Sequence, residues 1–138
     1  MDAILGTWKA DKSTFENAKA FLDAASVPEE HRKDLSEREM EITYSKEGEQ
    51  LKCVVKVTNS PVAKEKTYTI DIGQEKDIES VEGIKMKAKV DWDGSKFVEN
   101  YTTAEGAEFA TTREITGDTM KVTSTTKGVT MSQIWRKS

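Results

Sequence analysis

Two polar side chains stand out because they occupy inward positions of strands that are otherwise apolar. Arg113 has the same parity as Phe109 and Ile115, and Gln133 has the same parity as Trp135. Successive side chains of a strand point to opposite faces, so a shift by one residue would expose Phe109 and Trp135. The alternation therefore directs a guanidinium and an amide toward an apolar interior.

The chemistry available to this pair is recognition of a polar group rather than catalysis. An arginine in an apolar interior must be hydrated, paired with an acid or bound to an anionic ligand, because an isolated buried charge is costly. Its planar fork suits a carboxylate. Arg113 therefore either holds the acid head of a ligand or pairs with a local glutamate or reaches the rim. Gln133 either binds a ligand or satisfies buried backbone or water.

The remaining reactive residues give no signature of an enzyme or a metal site. His31 is the single histidine and Cys53 the single cysteine, which is too few for an ordinary zinc site or a histidine-based triad. No glycine pattern matches a phosphate-binding loop. We expect a protein with no catalytic activity, no metal and no cofactor.

Length and composition indicate one domain, residues 1–138, with a mildly acidic net charge of −4. Basic and acidic residues alternate along the chain, so we expect no nucleic-acid partner. One cysteine cannot form an internal disulfide. We recognise no signal peptide and no run of roughly 20 apolar residues. The sequence predicts a cytoplasmic monomer.

Two kinds of element are expected to position Arg113 and Gln133. A helix-turn-helix is predicted over about 13–35, because Ser13-Thr14-Phe15-Glu16 has the form of a capping box and an apolar stripe follows. A second helix is predicted from Glu29 to about Leu35, after Pro28.

From Met40 onward the chain alternates with period two. Tight-turn signals such as Asp93-Gly94 separate the runs, which gives about ten short strands in all. A meander this regular predicts an all-β, ten-stranded, antiparallel up-and-down β-barrel, since closure removes exposed strand edges. The helical pair would form a lid between the first two strands.

The sequence also resembles the intracellular lipid-binding proteins, which include fatty-acid-binding and cellular retinoid-binding proteins. The segments that carry the resemblance are Leu5-Gly6-Thr7-Trp8-Lys9, Ile72-Gly73-Gln74-Glu75, Asp93-Gly94-Ser95-Lys96 and Arg113-Glu114-Ile115. Each segment is short, but their order and spacing extend over essentially the whole chain. The resemblance implies a flattened ten-stranded barrel with a helical lid and an internal ligand cavity.

The resemblance further implies a site. Many members hold a carboxylate with two arginines and a tyrosine, and Arg113 matches the first arginine. Gln133 and Trp135 stand where the second arginine and the tyrosine are expected, and glutamine there is similar to retinol-binding members. We expect ligand contacts from these three residues and from Phe15 and Tyr101, although strand parity leaves open whether Tyr101 and Glu99 face the cavity.

The function implied by the resemblance is a non-enzymatic carrier of one long-chain fatty acid or similar lipid, whose carboxylate Arg113 holds. A retinoid or neutral-lipid carrier remains an alternative, as does a secreted lipocalin-like protein. The predicted lid carries Lys19, Arg32 and Lys33, so transient contact with a membrane is a further expectation.

Overall fold

The computed structural model describes residues 2–25, 32, 37–60, 64–79 and 84–138. A short 3₁₀ helix, Asp2–Ile4, precedes strand β1 (Gly6–Glu16) and helix α1 (Ala18–Ala24). The other strands are β2 (Glu39–Glu47), β3 (Gln50–Thr58), β4 (Lys64–Ile70), β5 (Glu75–Glu79), β6 (Lys85–Trp92), β7 (Lys96–Thr103), β8 (Glu108–Thr116), β9 (Thr119–Thr126) and β10 (Val129–Lys137).

The ten strands form one antiparallel sheet in the order β4-β3-β2-β1-β10-β9-β8-β7-β6-β5. Because β1 pairs with β10, the sheet curls into a nearly closed barrel, and the predicted fold class is confirmed. The alternation did not single out β5, whose sequence Glu75–Glu79 contains one apolar residue, Ile78.

Side chains bridge the gap between the two edge strands, β4 and β5. Lys66 donates from Nζ to the Glu79 carbonyl (3.3 Å) and to its carboxylate (3.0 Å), and the Tyr68 hydroxyl donates to the same carbonyl (2.7 Å). Lys76 reaches back to the Thr69 carbonyl (3.1 Å). A groove of about 550 Å³ runs along this gap. Inward-facing charges of this kind protect sheet edges from pairing with another chain.

The barrel end that carries the 3₁₀ helix, here called the N-terminal end, is filled by large apolar side chains. Trp8 and Ile4 are completely buried, and the Trp8 indole donates to the Ile4 carbonyl at 2.8 Å. Phe97 of β7 stacks on Tyr44 of β2 with ring centroids 6.4 Å apart. These strands lie on opposite walls of the barrel, so the rings close this end by direct contact across the interior.

The first helix begins later than the sequence predicts, because the apparent capping box lies in β1. The Ser13 hydroxyl and N–H both bind the Asp11 carboxylate, at 2.5 and 3.1 Å. The Thr14 hydroxyl accepts the N–H of Ile134 at 2.7 Å and so replaces a lost ladder bond where the register shifts. Local side-chain bonds of this type compete with helix formation.

The helix therefore starts at Ala18, and Phe15 lies half-buried near the end of β1 rather than in the helix. Phe21 of α1 packs against Phe109 of β8 with ring centroids 6.4 Å apart. The barrel end under α1 is called the helix end below. Apart from Arg32, the predicted second helix lies outside the described residues.

Candidate functional site

The register of three strands sets Arg113 and Gln133 on one inward row. Arg113 of β8 is opposite Val122 of β9, and Val122 is opposite Gln133 of β10. Phe97 of β7 flanks Arg113 on the other side. Trp135 lies in the next row toward the N-terminal end, on the same inward face. The sequence-predicted Arg113, Gln133 and Trp135 therefore share one wall of the barrel.

Arg113 is paired inside the barrel with a glutamate. Its Nε donates to the Glu99 Oε2 atom at 2.7 Å, and the two side chains are 15% and 7% exposed. The Tyr101 hydroxyl donates to the other carboxylate oxygen, Oε1. Both oxygens of Glu99 are thus held, and the open question of parity is answered: Glu99 and Tyr101 both belong to the interior cluster.

Polar contacts continue from this cluster toward the helix end. Thr111 lies opposite Glu99 on one side and Ser124 on the other, and the two hydroxyls are 3.1 Å apart. We call the inward set Glu99, Tyr101, Thr111, Arg113 and Ser124 the polar strip. It is positioned by three neighbouring strands, β7 to β9, and so is held by a continuous backbone ladder.

The electrostatics of the interior follow from burial and from the Glu99–Arg113 pair. Burial by itself disfavours the guanidinium charge, but the Glu99 carboxylate outweighs that effect and raises the pKa of Arg113 above its ordinary value. Burial also raises the pKa of Tyr44 and Tyr101, and raises that of Cys53 to about 12. At neutral pH the two phenols and the thiol are therefore uncharged.

Two buried hydrogen-bond donors on this wall have no partner among the described residues. They are Arg113 Nη1 and Trp135 Nε1. Buried polar atoms without a partner are uncommon in native proteins because each costs about 1–3 kcal/mol. Both atoms are donors, so the group that would satisfy them is a hydrogen-bond acceptor, such as a carboxylate, carbonyl or hydroxyl oxygen.

The interior is more open toward the helix end. Inward-facing apolar side chains there are only half-buried: Met40, Met86, Phe109, Val129 and Met131. At the rim, a cleft of about 330 Å³ is lined by residues that include Tyr101, Phe109 and Thr126. Inward side chains at this end therefore retain accessible surface, whereas those at the N-terminal end are buried.

The structure brings four of the five predicted site residues to the interior face and leaves one apart. Arg113, Gln133, Trp135 and Tyr101 lie on strands β7, β8 and β10, whereas Phe15 lies at the end of β1. Glu99 was not predicted as a site residue. The signal for it was the parity of Phe97, since an inward Phe97 also turns Glu99 and Tyr101 inward.

No helix in the described ranges is long and apolar enough to cross a membrane. The same residues contain no cluster of three or more histidine, cysteine, aspartate or glutamate side chains that could hold a metal ion.

A ten-stranded antiparallel barrel with a helix between its first two strands and a polar strip inside defines a β-barrel binding protein. No family model matches the chain. It is 32% identical over 118 residues to the liver fatty acid-binding protein of Schroederichthys bivius, which covers 86% of this chain and 85% of that protein. The chain belongs to the fatty-acid-binding-protein family, which confirms the resemblance seen in the sequence.

Solved structures share the fold over its full length. A Schistosoma mansoni fatty acid binding protein in complex with arachidonic acid superposes with a TM-score of 0.88 at 24% identity, covering 100% of this chain and 98% of that one. Secretory abundant heat soluble protein 4 from Ramazzottius varieornatus gives a TM-score of 0.87 at 23% identity, covering 100% and 96%. At these identities the likeness establishes the architecture.

Proposed function

We propose that this protein is a non-enzymatic carrier of one long-chain fatty acid or a similar lipid, which it holds inside the barrel. The observation that carries the proposal is the unpartnered Arg113 Nη1, a buried cationic donor on the inward face. In the proposed complex a carboxylate oxygen accepts from this atom. Family membership supports the same ligand class, as the relatives' names describe fatty-acid binding.

In the proposed complex the apolar part of the ligand lies in the same interior, toward the helix end. The half-buried methionines Met40, Met86 and Met131 line the space toward the helix end, and flexible thioether side chains adapt to chains of varied shape. Each methylene transferred from water contributes about 0.8 kcal/mol. A long acyl chain therefore supplies most of the affinity, while Arg113 orients the polar end.

A neutral lipid is the second candidate, and a specific contact favours it. Glu99 already offsets the charge of Arg113 at 2.7 Å, and Gln133 brings no charge of its own. A hydroxyl or carbonyl oxygen could accept from Arg113 Nη1 and Trp135 Nε1 without adding an anion to the interior. Fatty alcohols, acyl esters and retinol belong to this class.

Location and delivery are also proposals. We propose a cytoplasmic monomer, supported by a single cysteine, Cys53, which is free and buried. Transient membrane contact through α1 is supported only by the basic residues of the lid, and an acidic residue partly neutralises them. Asp23 pairs with both Lys19 (3.5 Å) and Arg32 (2.5 Å), so it offsets the basic charge that would draw the lid to an anionic surface.

Native mass spectrometry of the purified protein, followed by extraction and identification of bound lipid, tests the carrier function. We expect one long-chain lipid per chain, and oleic acid or oleyl alcohol should rebind to the delipidated protein. A palmitate ester with a bulky polar head group serves as a negative control, because a head group of that size should prevent the lipid from entering the barrel. Failure of the delipidated protein to bind either single-chain lipid would overturn the proposal.

A further inference from the structure

The charges of the buried cluster carry an inference that rests on the proposed function and concerns how an acid ligand is accommodated. Without ligand, the Glu99 carboxylate and the Arg113 guanidinium sum to zero. Tyr101 holds the remaining Glu99 oxygen with its hydroxyl. Both Glu99 oxygens therefore have partners, whereas the Nη1 donor of Arg113 has none among the described residues.

A fatty-acid carboxylate that accepts from Arg113 Nη1 would bring a second negative charge to one guanidinium. Glu99, the ligand and Arg113 would then sum to −1 in an interior where Glu99 is 5% exposed. An uncompensated buried charge is costly, and two carboxylates that share a site do not both stay ionised. One proton added to the two carboxylates restores a net charge of zero.

We propose that this protein binds fatty acids together with one proton, so that Glu99 and the ligand carboxyl share a single negative charge beside Arg113. The proton comes from solvent and belongs to the carboxylate pair rather than to either group alone. Glu99 is therefore a specificity-determining residue. With Glu99 in place, lipids with a neutral head group bind without proton uptake near neutral pH, whereas a fatty acid binds only with uptake of one proton.

The other groups that face Glu99 do not supply this proton. Tyr101 lies on the same strand, and Tyr44 on β2 and Cys53 on β3 face the pair from the opposite wall. Burial raises the pKa of each, so all three keep their protons near neutral pH. On β6 the residue opposite Glu99 is Val90, which does not titrate.

Calorimetric titration of the delipidated full-length protein in buffers of different ionisation enthalpy counts the protons taken up. Oleic acid should bind with uptake of one proton, and its Kd should rise close to tenfold per pH unit between about pH 7 and about pH 8.5. Oleyl alcohol should bind with no uptake and no pH dependence. A proton taken up because the lid moves would be counted with both ligands, so the value for oleyl alcohol is subtracted from the value for oleic acid.

Glu99→Gln and Tyr101→Phe form a matched pair of variants. Glu99→Gln should abolish proton uptake with oleic acid and tighten its binding at pH 8 by about tenfold or more. Tyr101→Phe keeps both charges and should keep the uptake. The number of protons that the wild-type protein takes up with oleic acid tests the inference even if Glu99→Gln folds poorly. Oleic acid bound without proton uptake would overturn this inference and leave the carrier function intact, whereas failure to bind either lipid would overturn both.

Discussion

Trp8 and Trp135 are both buried, at 0% and 3% exposed, yet their indole N–H groups differ. Trp8 donates to the Ile4 carbonyl at 2.8 Å, whereas Trp135 Nε1 has no partner in the described part of the chain. Trp8 belongs to the closed N-terminal end, where large rings fill the interior. Trp135 lies one row from Arg113, at the boundary of the polar strip.

The difference separates a region whose buried donor is satisfied by the chain from one whose buried donors have no partner among the described residues. At the N-terminal end the buried Trp8 donor is satisfied by the chain itself, so folding gains from burying it. On the wall of the polar strip, two buried donors have no acceptor among the described residues. Binding sites commonly give up some stability in this way, because a ligand then restores the missing bonds.

The largest effect should come from breaking the buried ion pair. Glu99→Ala leaves the Arg113 charge without its partner and should lower the free energy of unfolding by about 3–5 kcal/mol. Urea denaturation followed by tryptophan fluorescence measures the change. A loss of unfolding free energy below about 1 kcal/mol would show that the Glu99–Arg113 pair does not stabilise the folded protein.

The double variant Arg113→Ala/Glu99→Ala supplies the control for this prediction. It removes both charges, so it should be less destabilised than the sum of the two single variants. Additive losses would show that the two side chains act independently, against the 2.7 Å contact between them.

Phenylalanine substitutions at the two tryptophans compare the regions directly. Trp8→Phe leaves the Ile4 carbonyl unpaired and removes volume, so it should cost about 2–3 kcal/mol of stability. Trp135→Phe removes the same volume but deletes a donor that has no partner, so it should cost about 1 kcal/mol less than Trp8→Phe. Thermal and urea unfolding give the two values, and equal losses would remove the distinction between the regions.

A smaller effect is expected at alkaline pH from Cys53 in the interior. Burial raises the pKa of its thiol from 9.0 to about 12. Between these values the native state holds a proton that the unfolded state has released, so the free energy of unfolding falls as pH rises above about 9. In Cys53→Ala the decline should begin nearer pH 10, where unfolded tyrosines titrate. Identical pH profiles would contradict a buried protonated thiol.

The sequence predicts the barrel well where strands alternate strongly and fails where polar side chains form local bonds. From Leu51 to Val57 every second residue is apolar and buried, as one buried strand face requires. Ser13 and Thr14 look like the start of a helix, but their hydroxyls bind within β1 and to Ile134 instead. That choice depends on a partner strand about 120 residues away, which a local pattern does not contain.

The site is predictable to a similar degree. Parity identifies Arg113 and Gln133, since both stand among large apolar residues. It does not identify Glu99 as the partner of Arg113, because that contact joins two strands through a register set by the intervening turn. The charge balance of the interior therefore emerges from the structure alone.

The central claim is that Arg113 holds the polar head of a lipid, and one comparison tests it most directly. Oleic acid and oleyl alcohol are titrated into Glu99→Gln and into Arg113→Gln/Glu99→Gln, so that no carboxylate is left unpaired in the interior of the second protein. Loss of a charge-assisted hydrogen bond worth about 1.5–3 kcal/mol should weaken oleic acid by about 10- to 100-fold in the double variant. Binding of oleyl alcohol should change by less than about threefold. Equal losses for the two lipids would show that Arg113 does not recognise the acid head.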